Sequence, residues 1–200
     1  MKLLGYNINL KSFFQKGVKP IDDDFGIFLI TGYQGSGKTF FAVYLLDNLK
    51  TKNNIIYTNV KSLKLPNQIV KYFDKLEEIW DCTEPNCIYL IDEISKKYTK
   101  ESKQDQHFYS WLQQSRKRQR IVFLLTQEYL QVPTWLRGIA RFVYTTNKVP
   151  LFPIFYTNKG LPILDEESKE WTIQPKETFV YKRTKKVANC YDTMEPVNVL

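Results

Sequence analysis

The sequence predicts an α/β fold, a mostly parallel sheet with helices on both faces. Three observations carry that reading. Short apolar runs of strand length alternate with longer segments of helical spacing, the pattern of repeated strand–helix–strand units. The first run, Phe25 to Thr31, leads into Gly32-Tyr33-Gln34-Gly35-Ser36-Gly37-Lys38-Thr39, which has the spacing G-x-x-x-x-G-K-[ST]. A later run, Cys87-Ile88-Tyr89-Leu90-Ile91, ends in Asp92-Glu93. In a parallel sheet both loops would leave the carboxyl ends of strands, where ligands bind.

Taken in order, residues 1–24 are expected as an arm or an extra edge strand. Asp22-Asp23-Asp24 reads as a solvated turn rather than a metal site, since three adjacent carboxylates do not converge from one strand or turn. Residues 25–31 form the first strand and 38–51 the first helix, with a turn at Asn53-Asn54. Ile55-Ile56-Tyr57-Thr58 is the second strand, and Asn59 to Pro66 a loop. The apolar positions Ile69, Val70, Phe73, Leu76, Ile79 and Trp80 predict a helix over 67–80. After a loop containing Pro85 comes the strand Cys87 to Ile91. Residues 95–106 are polar and carry Lys96, Lys97, Lys100 and Lys103. His107 to Gln119 is expected as helix, Ile121 to Thr126 as strand, Trp135 to Ala140 as a short helix after Pro133, and Arg141 to Thr146 as the fifth strand. Beyond Val149 the texture is broken by Pro150, Pro153, Pro162, Pro175 and Pro196. Trp171-Thr172-Ile173 and Thr178-Phe179-Val180-Tyr181 read as short strands of a hairpin-like addition. The domain reading is a core over 25–149 and an extension over 150–200 within the same domain.

Composition narrows the class. Two hundred residues with a hydrophobic fraction of 43% and an aromatic fraction of 15% exclude a disordered chain. A net charge of +8 favours a polyanionic partner, nucleic acid first and an acidic membrane surface second. Cys82, Cys87 and Cys190 form no disulfide framework, and with His107 as the single histidine they lack the ligands of a zinc site. No apolar run reaches membrane-spanning length, and Met1 to Leu10 is too polar and broken for a signal peptide. A soluble protein of a reducing cytosol is the expectation.

The eight-residue motif is a phosphate-binding loop. Gly35 and Gly37 can take positive φ, so the backbone N–H groups from Gly32 through Gln34, Gly35, Ser36 and Gly37 can turn inward around an anion. Lys38 supplies a charge for β- and γ-phosphates, and the Thr39 hydroxyl can ligate Mg²⁺. The helix that follows aims its positive end at the same anion. Asp92 is placed to hold Mg²⁺ and Glu93 to polarise an attacking water. A hydrolase needs that glutamate and a small-molecule kinase does not. The motif pair resembles that of P-loop NTPases of the additional-strand, catalytic-glutamate type, which is the fold class expected. Gln127, at the end of the next strand, would lie between the two motifs and contact the γ-phosphate or orient the water. Arg116-Lys117-Arg118-Gln119-Arg120 can be a solvated face, a DNA contact, or the source of an arginine finger for a neighbouring subunit, with Arg137 and Arg141 as further candidates. Lys182-Arg183-Thr184-Lys185-Lys186 reads as a solvated face or tail. Base recognition lies outside the loop.

Gly32–Thr39, the strand end Tyr57-Thr58-Asn59, Leu90-Ile91-Asp92-Glu93, the basic run at Arg116, Leu125-Thr126-Gln127 and Leu136-Arg137 occur in an order that resembles the FtsK–HerA superfamily over roughly residues 25–146. The chain looks most like its compact viral members, the genome-packaging ATPases of tailless internal-membrane viruses and the Zot-like assembly ATPases of filamentous phages. The resemblance implies ATP and Mg²⁺ as cofactors and a ring, hexamer or pentamer, that threads nucleic acid, double-stranded DNA first, through a central pore. It implies that Lys38 and Thr39 bind phosphate and Mg²⁺, Asp92 binds Mg²⁺, Glu93 is the catalytic base, Gln127 the sensor and Arg116 the finger supplied in trans. The family's basic run often has His where this chain has Lys117 or Arg118, so Arg118, Arg137 and Arg141 stay beside Arg116 as candidates. Phage assembly ATPases generally carry a membrane segment after this domain; this sequence has none, which ranks packaging ahead of assembly. The reading is a DNA-translocating ATPase of genome packaging, in the host cytoplasm or at a virion vertex, with a viral capsid or membrane protein as further partner. The alternatives are a Zot-like assembly or export ATPase, a small-molecule kinase, and a nucleotide-binding switch without turnover.

Overall fold

Strands of near-continuous apolar sequence belong in the middle of a sheet covered on both faces. In the structure, a computed structural model that describes residues 2–3, 6–9, 25–49 and 55–192, they lie there. β3 (Gly26–Thr31), β6 (Cys87–Ile91) and β7 (Ile121–Thr126) are buried along almost their whole lengths. With β4 (Ile55–Thr58), β5 (Ile69–Tyr72) and β8 (Phe142–Lys148) they form six parallel strands in the order β8-β3-β7-β6-β4-β5. One strand, β7, stands between β3 and β6, so the phosphate-loop strand and the acidic strand are not neighbours. β9 (Ile154–Leu164) and β10 (Trp171–Lys182) continue the sheet antiparallel to β8 and to each other. β2 (Tyr6–Asn9) pairs parallel to β10 and β1 (Lys2–Leu3) antiparallel to β2, so the described part of the first 24 residues is edge strand. Asp22–Asp24 and Asn53–Asn54 lie outside the described residues.

The period-two alternation of a strand divides β3 between two cores. Phe28 and Ile30 join one with α1 (Lys38–Asn48), while Ile27 and Leu29 join the other with residues of α2 (Glu77–Trp80), α3 (Gln106–Gln113) and α4 (Thr134–Ile139). α1 is apolar nearly all round, which suits a helix covered on every side. The outer cover comes from the last fifty residues: Phe155, Tyr181 and Val187, the last on α5 (Lys185–Ala188), pack in the same core as Phe40 and Phe41.

Several sequence expectations change. The helix expected over 38–51 ends at Asn48. The stretch 67–80 is not one helix: Ile69 to Tyr72 is β5, and only Glu77 to Trp80 is helical. The β-branched pair Ile69-Val70 fits a pleated edge, Phe73 N–H donates to the Thr58 carbonyl at 3.1 Å, and the Glu78 carboxylate accepts from Asp74 and Lys75 N–H to start the short helix. The helix expected at 107–119 ends at Gln113. Asp105 caps its start by accepting from Phe108 N–H at 3.1 Å, and its continuation tightens into turns that carry Arg120 inward. The fifth strand runs to Lys148 rather than Thr146. The two short strands near the C-terminus are one, β10, bulged between Pro175 and Glu177, and its partner β9 runs through Pro162.

Candidate active site

The phosphate loop leaves β3 with its shape fixed by neighbours. Gly32 N–H donates to the Gln127 carbonyl at 3.0 Å, tying the loop to the end of β7. On the other side Thr146 of β8 donates to the Thr31 carbonyl at 3.1 Å and shares a hydrogen bond of 3.0 Å with the Ser36 hydroxyl. Ser36 N–H closes a turn onto Tyr33 O at 3.0 Å. Gly37 has φ 92°, in the left-handed region that lets the chain swing into α1, and a Cβ there would come within 2.6 Å of the Phe155 ring. The unpaired N–H groups of the first turn of α1 therefore face the hollow of the loop. Lys38 folds back across it, its Nζ donating to the carbonyls of Gly32 at 2.8 Å and Tyr33 at 3.4 Å.

β6 delivers the carboxylates to the same place. Thr39 Oγ1 donates to Asp92 Oδ2 at 3.2 Å, and Asp92 Oδ1 accepts from Glu93 N–H at 2.9 Å. Burial pushes the Asp92 carboxyl above its ordinary range, opposed by Lys38 and by the Thr39 hydrogen bond. Burial pushes the Lys38 amine below its ordinary value, opposed by Asp92 and Glu93. Glu93 sits at φ 55°, a strained left-handed conformation costing about 1–3 kcal/mol, of the kind found at functional sites. Its carboxylate is paired with Lys96 Nζ at 2.7 Å. Asn59, at the end of β4, grips the backbone of Asp92 on both sides: its Oδ1 accepts from Asp92 N–H at 2.8 Å and its Nδ2 donates to Asp92 O at 3.0 Å.

Lys38, Thr39, Asp92 and Glu93 thus converge, and the exposed Gln127 stands at the loop edge. The basic run does not join them within one chain. β7 lies parallel and in register with β3, Gly26 opposite Ile121 and Thr31 opposite Thr126. Arg116 to Arg120 precede β7, so they sit at the opposite end of the sheet, a six-residue strand or about 20 Å away. Arg116 is exposed there, and any phosphate it reaches belongs to another molecule. Arg118 donates to Cys82 O at 3.2 Å. Arg137 is buried over the Tyr129 ring and donates to Thr134, and Arg141 donates to Phe25 O at 3.4 Å. Asn59 and Thr146 lay in strand-end sequence with no role read for them; their signal was a polar side chain at the carboxyl end of a strand beside a motif. Lys148, from the last residues of the expected core, and Arg183 and Tyr191, from the expected extension, also line the cleft at the loop.

This arrangement can hold a triphosphate by backbone and lysine. Among the described residues no three His, Cys, Asp or Glu side chains gather to hold a metal ion. A divalent cation would take the hydroxyl and carboxylate oxygens of Thr39 and Asp92 and complete its shell from phosphate and water, the habit of Mg²⁺.

Fold and site define a P-loop NTPase fold with one strand added between the phosphate loop and the acidic strand. The family model that matches is zonular occludens toxin (Zot), over residues 26–159. The chain belongs to the Zot family. It is similar to the N-terminal domain of zonular occludens toxin from Neisseria meningitidis, with 22% identity, a TM-score of 0.60, and 84% of this chain and 98% of that one covered. It is also similar to the genome packaging NTPase B204 of Sulfolobus turreted icosahedral virus 2, with 15% identity, a TM-score of 0.53, and 76% and 96% covered. A second structure of B204, in complex with AMPPCP, matches with 15% identity, a TM-score of 0.53, and 76% and 98% covered. No curated protein sequence matches the chain. Among the described residues no helix is long and apolar enough to cross a membrane.

Proposed function

We propose that this chain is a Mg²⁺-dependent ATPase of the phage assembly and packaging class, working as a ring of copies with DNA as its load. The observation that carries the proposal is the meeting of Lys38, Thr39 and Asp92, with Glu93 beside them, at the carboxyl ends of β3 and β6. Lys38 and the loop N–H groups bind the β- and γ-phosphates. Thr39 and Asp92 would hold Mg²⁺, which neutralises charge on the phosphate oxygens when bound. Glu93 accepts a proton from water as the water oxygen bonds to the γ-phosphorus and the bond from that phosphorus to the β–γ bridging oxygen breaks. Gln127 orients that water. The pair between Glu93 and Lys96 opens for this step. Arg116 of an adjoining copy supplies the remaining positive charge. The net charge of +8 supports a polyanionic load.

Phosphate release with Mg²⁺ and ATP tests it. Glu93→Gln is expected to lose turnover by about 10²–10⁴-fold while retaining ATP. Loss of ATP binding in that variant would show the base to be misassigned. Duplex DNA should stimulate turnover, more at low salt than at high. The Zot-family match favours a second reading, an assembly or export ATPase acting on membrane partners. Co-purification with such partners, equal turnover with and without DNA, and no DNA affinity would select it. Phosphate transfer to a nucleoside with little free phosphate would select a kinase over both.

A further inference from the structure

We infer that the C-terminal strands supply the nucleoside end of the site: Lys148, Arg183 and Tyr191 flank the base, ribose and α-phosphate of a nucleotide whose outer phosphates lie on the loop. The inference rests on the ATPase reading and adds residues from outside the sequence motifs.

A cleft of about 270 Å³ runs from Lys38 and Thr39 to Lys148, Arg183 and Tyr191. Asp92, Glu93 and Gln127 do not line it. Its floor is aromatic: Phe155 packs on Gly37 and stacks with Phe40 at 5.4 Å between ring centroids. Its walls hold two exposed cations, Lys148 at the end of β8 and Arg183 just after β10. The half-buried Tyr191 stands in the same wall. Burial pushes its hydroxyl up to about 12, with Arg183 lowering and Asp92 raising it. Cation and aromatic ring side by side, next to a loop that takes β- and γ-phosphates, match a phosphate followed by a planar base.

The wall is built rather than draped. Arg183 N–H donates to Pro153 O at 2.8 Å, and Thr184 caps α5. Lys186 pairs with Asp47 of α1 at 2.7 Å. Lys64 N–H donates to Cys190 O at 2.7 Å, and Asp192 N–H to the Ser62 hydroxyl at 2.8 Å. Arg183 and Tyr191 are therefore fixed from the turn before β9, from α1 and from the loop that begins at Asn59. Such a wall loses little freedom when a ligand docks. The run Lys182 to Lys186 is accordingly divided: Arg183 faces the cleft while Lys186 ties down the helix.

Calorimetric titration of the full chain with ATP, ADP and AMP tests the inference. Lys148→Ala combined with Arg183→Ala is expected to weaken all three nucleotides by a similar factor, roughly tenfold or more. Arg183→Lys should recover part of that loss. Lys38→Ala should weaken ATP far more than AMP. Both cations are exposed, so the double variant folds; Tyr191→Leu, checked by its melting curve, should also weaken AMP. A double variant that binds like wild type, or that loses ATP but keeps AMP, overturns the inference and leaves the ATPase reading standing. Wild type that binds no nucleoside triphosphate overturns both.

Discussion

At the end of the sheet where β3, β6 and β7 finish, charged side chains gather: Lys38 bridges the loop, Asp92 meets Thr39, and Lys148 at the end of β3's neighbour β8 and Arg183 after β10 line a cleft. At the amino ends of the same strands a denser run of cations is partly absorbed into the protein. Arg120 is fully buried, its guanidinium 5.5 Å from the Tyr89 ring and 5.4 Å from that of Trp111, donating to Cys82 O and to Glu84 O. Arg118 shares the Cys82 carbonyl, leaving Arg116 and Lys117 exposed. Four cations in five positions therefore divide into scaffold and surface, and spacing alone did not say which was which. A group becomes available for chemistry when the fold leaves part of its bonding capacity facing solvent.

The largest expected effect falls at the open end. Asp92→Asn should reduce turnover at least 100-fold, the scale for removing one preorganised electrostatic partner. It should also raise the melting temperature of the nucleotide-free protein near neutral pH. The sign follows from burial. The Asp92 carboxyl is raised in the folded state, so between the ordinary carboxylate range and that raised value the folded chain keeps a proton the unfolded chain has lost. Its contribution to stability is complete below that window and is lost as pH climbs through it. The variant should lack that decline, and scanning calorimetry across pH shows whether it does.

Arg120→Leu inverts the pattern at the closed end. It strips hydrogen bonds from two carbonyls and the cation from two rings, so unfolding free energy should fall by about 2–4 kcal/mol. ATP affinity of the folded fraction should be unchanged. A urea midpoint equal to wild type would show that the amino end is not scaffold. Asn59→Ala belongs between the two. It touches no phosphate, yet it frees the backbone on both sides of Asp92, and about a tenfold loss of kcat with little change in ATP affinity is expected. Loss of affinity with kcat preserved would mean that Asn59 shapes the loop instead.

Much of the open end was legible because its chemistry is local. Gly32 to Thr39 needs only its own spacing, and Cys87 to Glu93 announces a buried strand with carboxylates at its exit. The parallel core was equally plain in β3, β6 and β7, whose apolar runs suit only a sheet covered on both faces. What was not legible depends on partners far along the chain. Ile69 to Tyr72 carries a helical apolar spacing, and only pairing with β4 makes it a strand. Pro162 and Pro175 argued for breaks, yet a long antiparallel pair accommodates them with one bulge. Arg183 looked like tail because the surface it joins is assembled from β8, β9 and α1.

The smallest effect concerns Lys96, and it separates the two ends most sharply. Its pair with Glu93 joins partly exposed side chains three residues apart at 2.7 Å. Such pairs are worth about 0.3–0.5 kcal/mol, against several for the buried contacts of Arg120. If Glu93 is the base proposed above, opening the pair to free it should hinder hydrolysis by a factor of only about two. Lys96→Met should raise basal turnover by that factor, and 0.5 M salt should bring wild type up to the variant by screening the pair. The corresponding test at the closed end, turnover and unfolding of Arg120→Leu over the same salt range, should show almost no salt dependence, because its partners are carbonyls and rings rather than a partly exposed carboxylate. If Lys96→Met instead lowers turnover, the lysine acts on the phosphates directly, and the Glu93 pair is a resting contact without consequence for the rate.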